Sequence, residues 1–148
     1  MKKFTKILFA TDFSENSDHA FDYALSLAKS FNARLSVIHV INEPIDLRGF
    51  YVPHISFETL EKEIEEGAAK MMEKFCRTRI GDFSNYETLI VAGIPFEEIL
   101  RKADEAQASI IVMGTQGRKG IDHFLFGSTA ERVVRNAKIP VMTIPVGS

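Results

Sequence analysis

The stretch Ile110-Ile111-Val112-Met113-Gly114-Thr115-Gln116-Gly117 is followed by nine residues and then by Gly127-Ser128-Thr129. Its apolar first half predicts a buried strand, and apolar residues at helical spacing follow it in the sequence, namely Ala130, Val133, Val134 and Ala137. Glycine lets a ligand approach the backbone because it has no Cβ. A helix N-terminus adds unpaired N–H groups and the positive end of the helix dipole. A strand that passes through glycines into a helix therefore predicts an anion site, with phosphate as a suitable ligand.

The glycine spacing by itself leaves two interpretations open. It is not a Walker loop, because Gly-Lys-[Ser/Thr] is absent, and no Gly-x-Gly-x-x-Gly follows the first strand. The glycines can hold phosphate, with Arg118 and Lys119 neutralising its charge. Alternatively, Gly114, Gly117 or Gly120 only supplies a positive φ, and Ser128 or Thr129 is an ordinary helix cap.

Outward from this segment, strand and helix patterns alternate along the whole chain. Strands are predicted over residues 7–10, 35–41, 86–91, 109–113 and 140–146. Between them, apolar residues three and four apart predict helices, with Ser14 as the predicted N-cap of the first, Asn32 in its C-terminal turn and Pro95 near the first turn of the third. Pro140 and Pro145, near the ends of the last strand, favour an edge position for it. The apolar faces of the helices contain Ala20, Ala24, Leu27, Ala28 and Phe31, then Leu60, Ile64, Ala68, Met71, Met72 and Phe75, then Phe96, Ile99, Leu100 and Ala103. Residues 42–56 have no clean period and predict a long loop.

This alternation predicts an α/β fold, an open parallel sheet with helices on both faces. Ligands of such sheets bind beyond the carboxyl ends of the strands, where the winding reverses. The glycine segment lies at such a strand end, which favours the phosphate interpretation.

Length and composition point to one domain over residues 1–148 and to the cytoplasm. Apolar residues make up 45% of the chain and charged residues 26%, ordinary values for a globular protein. A net charge of −2 argues against nucleic-acid or membrane partners. The single cysteine, Cys76, excludes an internal disulfide and suits a reducing compartment, where we expect it as a small buried apolar side chain.

Several segments together resemble the universal stress protein family, in particular its ATP-binding branch. The resemblance covers nearly the whole chain and is carried by these residues: Ala10-Thr11-Asp12-Phe13-Ser14, His39-Val40, Gly93 and Pro95, Ile111 to Gly114 with Gly117, Gly127-Ser128-Thr129-Ala130-Glu131-Arg132-Val133-Val134, and Pro140-Val141. Two positions depart from the pattern: Ala10 stands where that branch often has proline, and Gln116 where many members have histidine.

The resemblance implies a five-stranded, Rossmann-like parallel sheet in the order 3-2-1-4-5. It also implies a homodimer formed through the last strand, and a bound ATP with Mg2+ held through its phosphates. Asp12 and the backbone near Val40 would hold the adenosine end, and Gly114 would line the ribose. The phosphates would lie against Gly117, Gly127, Ser128 and Thr129, with Arg118 supplying positive charge.

No pair of nucleophile and base is evident in the sequence. The four histidines are scattered, and His39 is expected to be a hydrogen-bonded core residue. We therefore expect a nucleotide-dependent stress-response switch with slow or no hydrolysis, at most a weak ATPase or an autophosphorylating protein. A dimeric interaction protein of the same fold that binds no nucleotide is the alternative. An unrelated receiver domain fits less well, because Asp12 lacks an acidic cluster and no lysine follows the last strand.

Overall fold

A computed structural model describes residues 3–42, 57–116 and 126–147. Strands and helices alternate from one end to the other. In chain order they are β1 (Lys6–Ala10), α1 (Glu15–Phe31), β2 (Arg34–Ile41), α2 (Phe57–Phe75) with a π-helical extension (Cys76–Ile80), β3 (Tyr86–Ala92), α3 (Pro95–Glu105), β4 (Ile110–Gly114), α4 (Ser128–Asn136) and β5 (Val141–Ile144).

The five strands form one parallel sheet in the order β3-β2-β1-β4-β5, so the predicted architecture is confirmed. Every crossover carries a helix, as parallel pairing requires. The last strand, β5, lies at the edge of the sheet, as its flanking prolines predicted. Most of the predicted loop over residues 42–56 lies outside the described residues.

Two apolar layers cover the two faces of the sheet. On one face, α1 and α2 bury a cluster that contains Phe9, Phe21 and Phe75. The Phe21 ring packs edge-on against both neighbours, with centroids 5.2 Å from Phe9 and 4.8 Å from Phe75. On the other face, α3 and α4 bury Ile99 and Val133 against the sheet. Burying large apolar side chains on both faces is the main stabilising term of such a fold.

The local signals at the helix ends also have the predicted roles. Ser14 is the N-cap of α1, where its Oγ accepts a hydrogen bond from the Ser17 N–H at 3.2 Å. Asn32 ends α1 in the left-handed conformation with φ of 51°, which asparagine tolerates better than most residues. Pro95 opens α3, where its missing N–H costs nothing.

Helical periodicity overestimated the buried faces. Phe31, Met71 and Val134 were predicted on apolar faces, yet their exposed fractions are 45%, 46% and 44%. Cys76, expected to be buried, is partly buried and packs against the aromatic cluster. Among the described residues, no helix is both long and apolar enough to cross a membrane.

Candidate functional site: the carboxyl edge of β1 and β4

The winding of the chain reverses between two neighbouring strands. From β1 the chain passes to α1 on one face of the sheet, whereas from β4 it passes to α4 on the other face. Since β1 and β4 pair directly, their carboxyl ends flank the crevice that this reversal leaves open.

The strand register brings three predicted site residues to this edge. Ala10 pairs with Ile38, so Asp12 lies level with Val40, two residues further along each chain. In the same way Phe9 pairs with Val112, which places Gly114 level with Thr11. The Thr11 N–H continues the ladder by donating to the Ile38 carbonyl at 2.9 Å. Asp12, Val40 and Gly114 therefore occupy adjacent rows at the end of the sheet.

The turn from β1 into α1 (residues 11–14, the Asp12 turn) satisfies its own polar groups. Thr11 Oγ1 accepts hydrogen bonds from the Phe13 N–H at 2.9 Å and from the Ser17 hydroxyl at 2.8 Å. Asp12 Oδ1 accepts from the Ser14 N–H at 3.0 Å. Both are local side-chain turns of the kind that threonine and aspartate favour. The Thr11 hydroxyl therefore stabilises the turn through these two hydrogen bonds.

A second carboxylate lies close to Asp12 and feels its charge. Asp18, on α1, forms an ion pair with Arg79 at 3.3 Å. Burial raises the pKa of Asp18 above its ordinary value, Arg79 opposes that shift, and the negative charge of Asp12 adds to it. An ionised carboxylate at Asp12 can only accept hydrogen bonds, which suits hydroxyl and amino groups better than bare phosphate oxygens.

The connection from β4 into α4 (residues 114–116 and 126–129, the glycine junction) is built from backbone contacts. A Cβ placed on Gly114 would lie 3.4 Å from the Asn16 carbonyl oxygen, so β4 ends close to the start of α1. The Thr115 N–H donates to Ile144 at 3.0 Å. The Thr115 carbonyl in turn accepts from the Gly127 N–H at 2.6 Å. The two ends of the segment between β4 and α4 are thus held together at its base.

Helix α4 begins at a residue that cannot cap it. Gly127 is the N-cap, with φ of −66° and ψ of 159°, and it has no side chain to accept a hydrogen bond. The first intrahelical bond runs from the Glu131 N–H to the Gly127 carbonyl, so helix geometry leaves the N–H groups of residues 128–130 without intrahelical acceptors. Ser128 is exposed and Thr129 partly so.

Gly127 does not need to be glycine for backbone reasons. Its φ and ψ fall in the extended region, which every amino acid adopts, and the same holds for the serine N-cap of α1. The positive-φ interpretation concerned Gly114, Gly117 and Gly120: no positive φ occurs at Gly114, and Gly117 and Gly120 lie outside the described residues. Glycine at position 127 leaves the start of α4 without a Cβ, so a ligand could approach the backbone closely there.

Two predicted residues cannot be placed. Gly117 and Arg118 lie outside the described residues, as does Lys119. Their predicted roles at the phosphates stay predictions. The neighbouring Gln116 is described, and its side chain is buried at the base of the segment.

The described residues offer no separate metal site. No group of three or more His, Cys, Asp or Glu side chains within ligand distance occurs among residues 3–42, 57–116 and 126–147.

Sequence reasoning missed the part that Phe13 and His39 take in this edge. His39 is buried and hydrogen-bonded, as expected, but its contact was not foreseen: Nδ1 lies 2.8 Å from the Thr11 carbonyl oxygen. Phe13 packs on the His39 ring with centroids 4.4 Å apart. The only sequence feature that could have indicated this packing is the position of an aromatic residue, Phe13, between Asp12 and the N-cap Ser14.

Comparison with known proteins identifies the class of protein to which this fold and edge belong. The model of the "Universal stress protein family" matches residues 3–145, so the chain belongs to the universal stress protein family. Universal stress protein YxiE of Bacillus subtilis is 32% identical over 146 residues, which cover 95% of this chain and 99% of YxiE.

Solved structures have the same architecture. That of universal stress protein MJ0577 of Methanocaldococcus jannaschii superimposes with a TM-score of 0.85 at 27% identity and covers 99% of both chains. A universal stress protein solved in complex with cAMP has a TM-score of 0.67 and covers 99% of this chain and all of its own; at 21% identity it shows the shared fold alone.

Proposed function

We propose that this protein binds an adenine nucleotide, ATP with Mg2+ in particular, at the carboxyl edge of β1 and β4. Nucleotide binding acts as a stress-response switch, with slow or no hydrolysis. The observation that carries the proposal is the start of α4: a glycine that backbone geometry does not require, at an uncapped helix N-terminus beside the winding reversal.

The charge distribution supports a division of the site into two ends. The Asp12 turn presents a carboxylate, which accepts hydrogen bonds from ribose hydroxyls or an adenine amino group. The N–H groups of residues 128–130, with Ser128 and Thr129, supply donors for phosphate oxygens. In this proposal Val40 contributes backbone beside the adenosine, Gly114 lines the ribose, and Gly117 and Arg118 contact the phosphates. The cAMP complex of a distant family member agrees with an adenine ligand.

Nucleotide content and affinity test this proposal. The purified protein is denatured, the precipitate is removed, and any released nucleotide is identified by mass. We expect stoichiometric ATP or ADP, or an empty protein that takes up added MgATP in calorimetry. A protein that neither carries nor binds adenine nucleotide would be the interaction protein of the same fold, and the proposal would fail.

Steady-state turnover separates a switch from an enzyme. The sequence contains groups that could stabilise phosphate charge but no evident pair of nucleophile and base, and phosphoryl transfer needs a positioned water or acceptor besides charge stabilisation. We expect phosphate release from MgATP far below the ordinary enzymatic range of roughly 1–10³ per second. Turnover within that range would contradict the switch.

We also propose that β5 pairs two copies into a homodimer. The Pro140 carbonyl accepts a hydrogen bond from the Ile111 N–H, and the Ile144 carbonyl accepts one from the Thr115 N–H. Because backbone groups alternate in direction along a strand, those of Met142 and Ile144 also point toward β4. Strand alternation then directs the N–H groups of Val141 and Thr143 to the open edge. Thr143→Pro removes one outward donor and leaves the inner ladder intact. Light scattering should show a dimer for the parent and a monomer for the variant.

A further inference from the structure

Phe13 has a backbone conformation that its position does not explain. Three described residues other than glycine have a positive φ: Phe13 at 65°, Asn32 at 51° and Gln107 at 52°. Asn32 and Gln107 follow the ends of α1 and α3, where the left-handed conformation is ordinary. Phe13 instead precedes a helix and is bulky, so its conformation is strained and must be maintained by its surroundings.

Two hydrogen bonds fix the peptide groups on either side of Asp12. The carbonyl of the Thr11–Asp12 peptide lies 2.8 Å from His39 Nδ1, and because a carbonyl can only accept, Nδ1 carries the proton and donates. The N–H of the Asp12–Phe13 peptide donates to Thr11 Oγ1 at 2.9 Å. Fixing both neighbouring peptide planes fixes φ and ψ of Asp12.

Besides its hydrogen bond to Thr11, the His39 ring also packs against Phe13. It is buried in β2, and the angle between the two rings is 36°. Phe13 also approaches Phe75 of the aromatic cluster, with centroids 6.3 Å apart. The strained residue is thus anchored in the core, while the Ser14 N–H holds Asp12 Oδ1 at 3.0 Å. Backbone and carboxylate of Asp12 are set before any ligand arrives.

We propose that His39 and Phe13 are positioning residues that hold the Asp12 carboxylate in its nucleotide-binding orientation, with the His39 hydrogen bond to Thr11 as the decisive contact. The inference rests on the proposed function, since Asp12 is the residue through which it acts. A preorganised carboxylate spares the ligand the entropy of ordering the turn, so affinity falls when the turn is released.

A matched pair of substitutions separates the hydrogen bond from the ring. His39→Phe keeps an aromatic ring against Phe13 but has no donor for the Thr11 carbonyl. His39→Asn places its side-chain nitrogen where Nδ1 lies, on Cγ, and loses the ring. We expect MgATP affinity in calorimetry to fall about tenfold, or about 1.4 kcal/mol, in His39→Phe, and to stay within about threefold in His39→Asn.

Thermal stability distinguishes positioning from a merely structural role. His39→Asn leaves a cavity beside Phe13 and should melt at a lower temperature than the parent. If affinity simply followed stability, His39→Asn would therefore also bind weakly, and the proposal would be overturned. A second readout is the Asp12→Ala background, in which His39→Phe should cause no further loss of affinity. An equal loss in both backgrounds would show that His39 does not act through Asp12.

A ligand-independent measurement keeps this proposal separate from the proposed function. The carboxyl carbon of Asp12 is followed by NMR without nucleotide. We expect its chemical shift to move in His39→Phe and to stay near the parent value in His39→Asn; no movement in His39→Phe overturns the positioning. A parent protein that binds no nucleotide defeats the proposed function, and the NMR result still decides whether His39 holds Asp12.

If His39→Phe does not fold, a second matched pair of variants at Thr11 tests the same proposal. Thr11→Val removes the acceptor for the Phe13 N–H, whereas Thr11→Ser keeps it. The same pattern is expected, with the Asp12 carboxyl signal shifted in Thr11→Val and nearly unchanged in Thr11→Ser. Two unchanged signals would contradict the proposal.

Discussion

The Asp12 turn and the glycine junction begin at neighbouring strand ends and lead into helices on opposite faces of the sheet. They differ in how the N-terminus of the following helix is capped. The Asp12 turn contains no glycine, caps α1 with Ser14, and uses its polar groups internally. The glycine junction caps α4 with Gly127, which has the same extended conformation as Ser14 but no side chain. One helix start is capped by a side chain of the protein, whereas the N–H groups at the other are the phosphate donors of the proposed site.

This difference teaches where preorganisation and access are needed. A carboxylate that must recognise hydroxyl or amino groups benefits from a fixed orientation, which the Asp12 turn provides even at the cost of a strained Phe13. In the proposed site, a large phosphate anion must approach its donors closely, and a glycine junction without a Cβ or a side-chain cap permits that approach.

The largest effect is expected from blocking the open helix start. Gly127→Val should lower MgATP affinity at least about 100-fold, or about 2.7 kcal/mol, because its methyl groups occupy the phosphate position. The extended φ and ψ at residue 127 accept valine, so the circular dichroism spectrum should stay that of the parent, and the melting temperature should fall only modestly because valine is a poorer N-cap than glycine.

Gly67→Ala is the matched control for that substitution. Gly67 lies on the exposed side of α2, and nothing lies within 4 Å of an added Cβ. This variant should bind like the parent and gain about 0.5–1 kcal/mol in the free energy of unfolding. Unchanged affinity in Gly127→Val would show that the phosphates lie elsewhere.

Removing the Ser14 N-cap of α1 should lower the stability of the protein. Ser14→Ala removes the acceptor for the Ser17 N–H, and denaturant unfolding should report a loss of about 1 kcal/mol. Ser14→Thr keeps the hydroxyl and should lose less. Equal stability of the parent and Ser14→Ala would mean that the cap contributes nothing measurable to the Asp12 turn.

Adding a side-chain N-cap to α4 should have a smaller effect on stability, in the opposite direction. Gly127→Ser gives α4 the cap that α1 already has, and the gain in the free energy of unfolding is expected to be a few tenths of a kcal/mol. The new hydroxyl competes with phosphate for the same N–H groups, so MgATP affinity should fall. A variant that becomes more stable and binds more tightly would contradict the assignment of these N–H groups to phosphate.

The smallest effect concerns the charge at Asp12. Asp12→Asn keeps an oxygen for the Ser14 N–H but removes the charge that helps to raise the pKa of Asp18. The Asp18 pKa, measured by carboxyl NMR titration, should therefore fall toward its ordinary value. It should remain above that value, because burial is the largest cause of the shift. A rise in the Asp18 pKa would contradict the proximity of the two carboxylates.

The same shift has a defined sign for stability. A carboxyl whose folded-state pKa is raised favours folding below its unfolded pKa, and that contribution disappears as the pH rises through the folded pKa. Ionisation of Asp18 therefore disfavours the folded state, and Asp12→Asn should weaken that penalty near neutral pH. The effect is small because Asp18 keeps water contact and the Arg79 ion pair.

Most of the fold could be predicted, because each crossover carries a local signal. The apolar strands, Ser14, Asn32 and Pro95 are read within a few residues of chain, and the structure confirms them. Phe31 and Val134 were misjudged because burial depends on which element packs against a side chain. Cys76 was misjudged for the same reason.

By itself, the sequence determined the alternation of strands and helices, the position of the glycine segment at a strand end, and the family. These depend on residue types and short spacings. Only the tertiary structure decided that Thr11 and Gly114 lie in one row, that Gly127 needs no special backbone conformation, and that His39 reaches the Thr11 carbonyl. Those relations join residues 28 to 103 positions apart, or depend on φ and ψ, and no local pattern in the chain encodes a hydrogen bond between two strands.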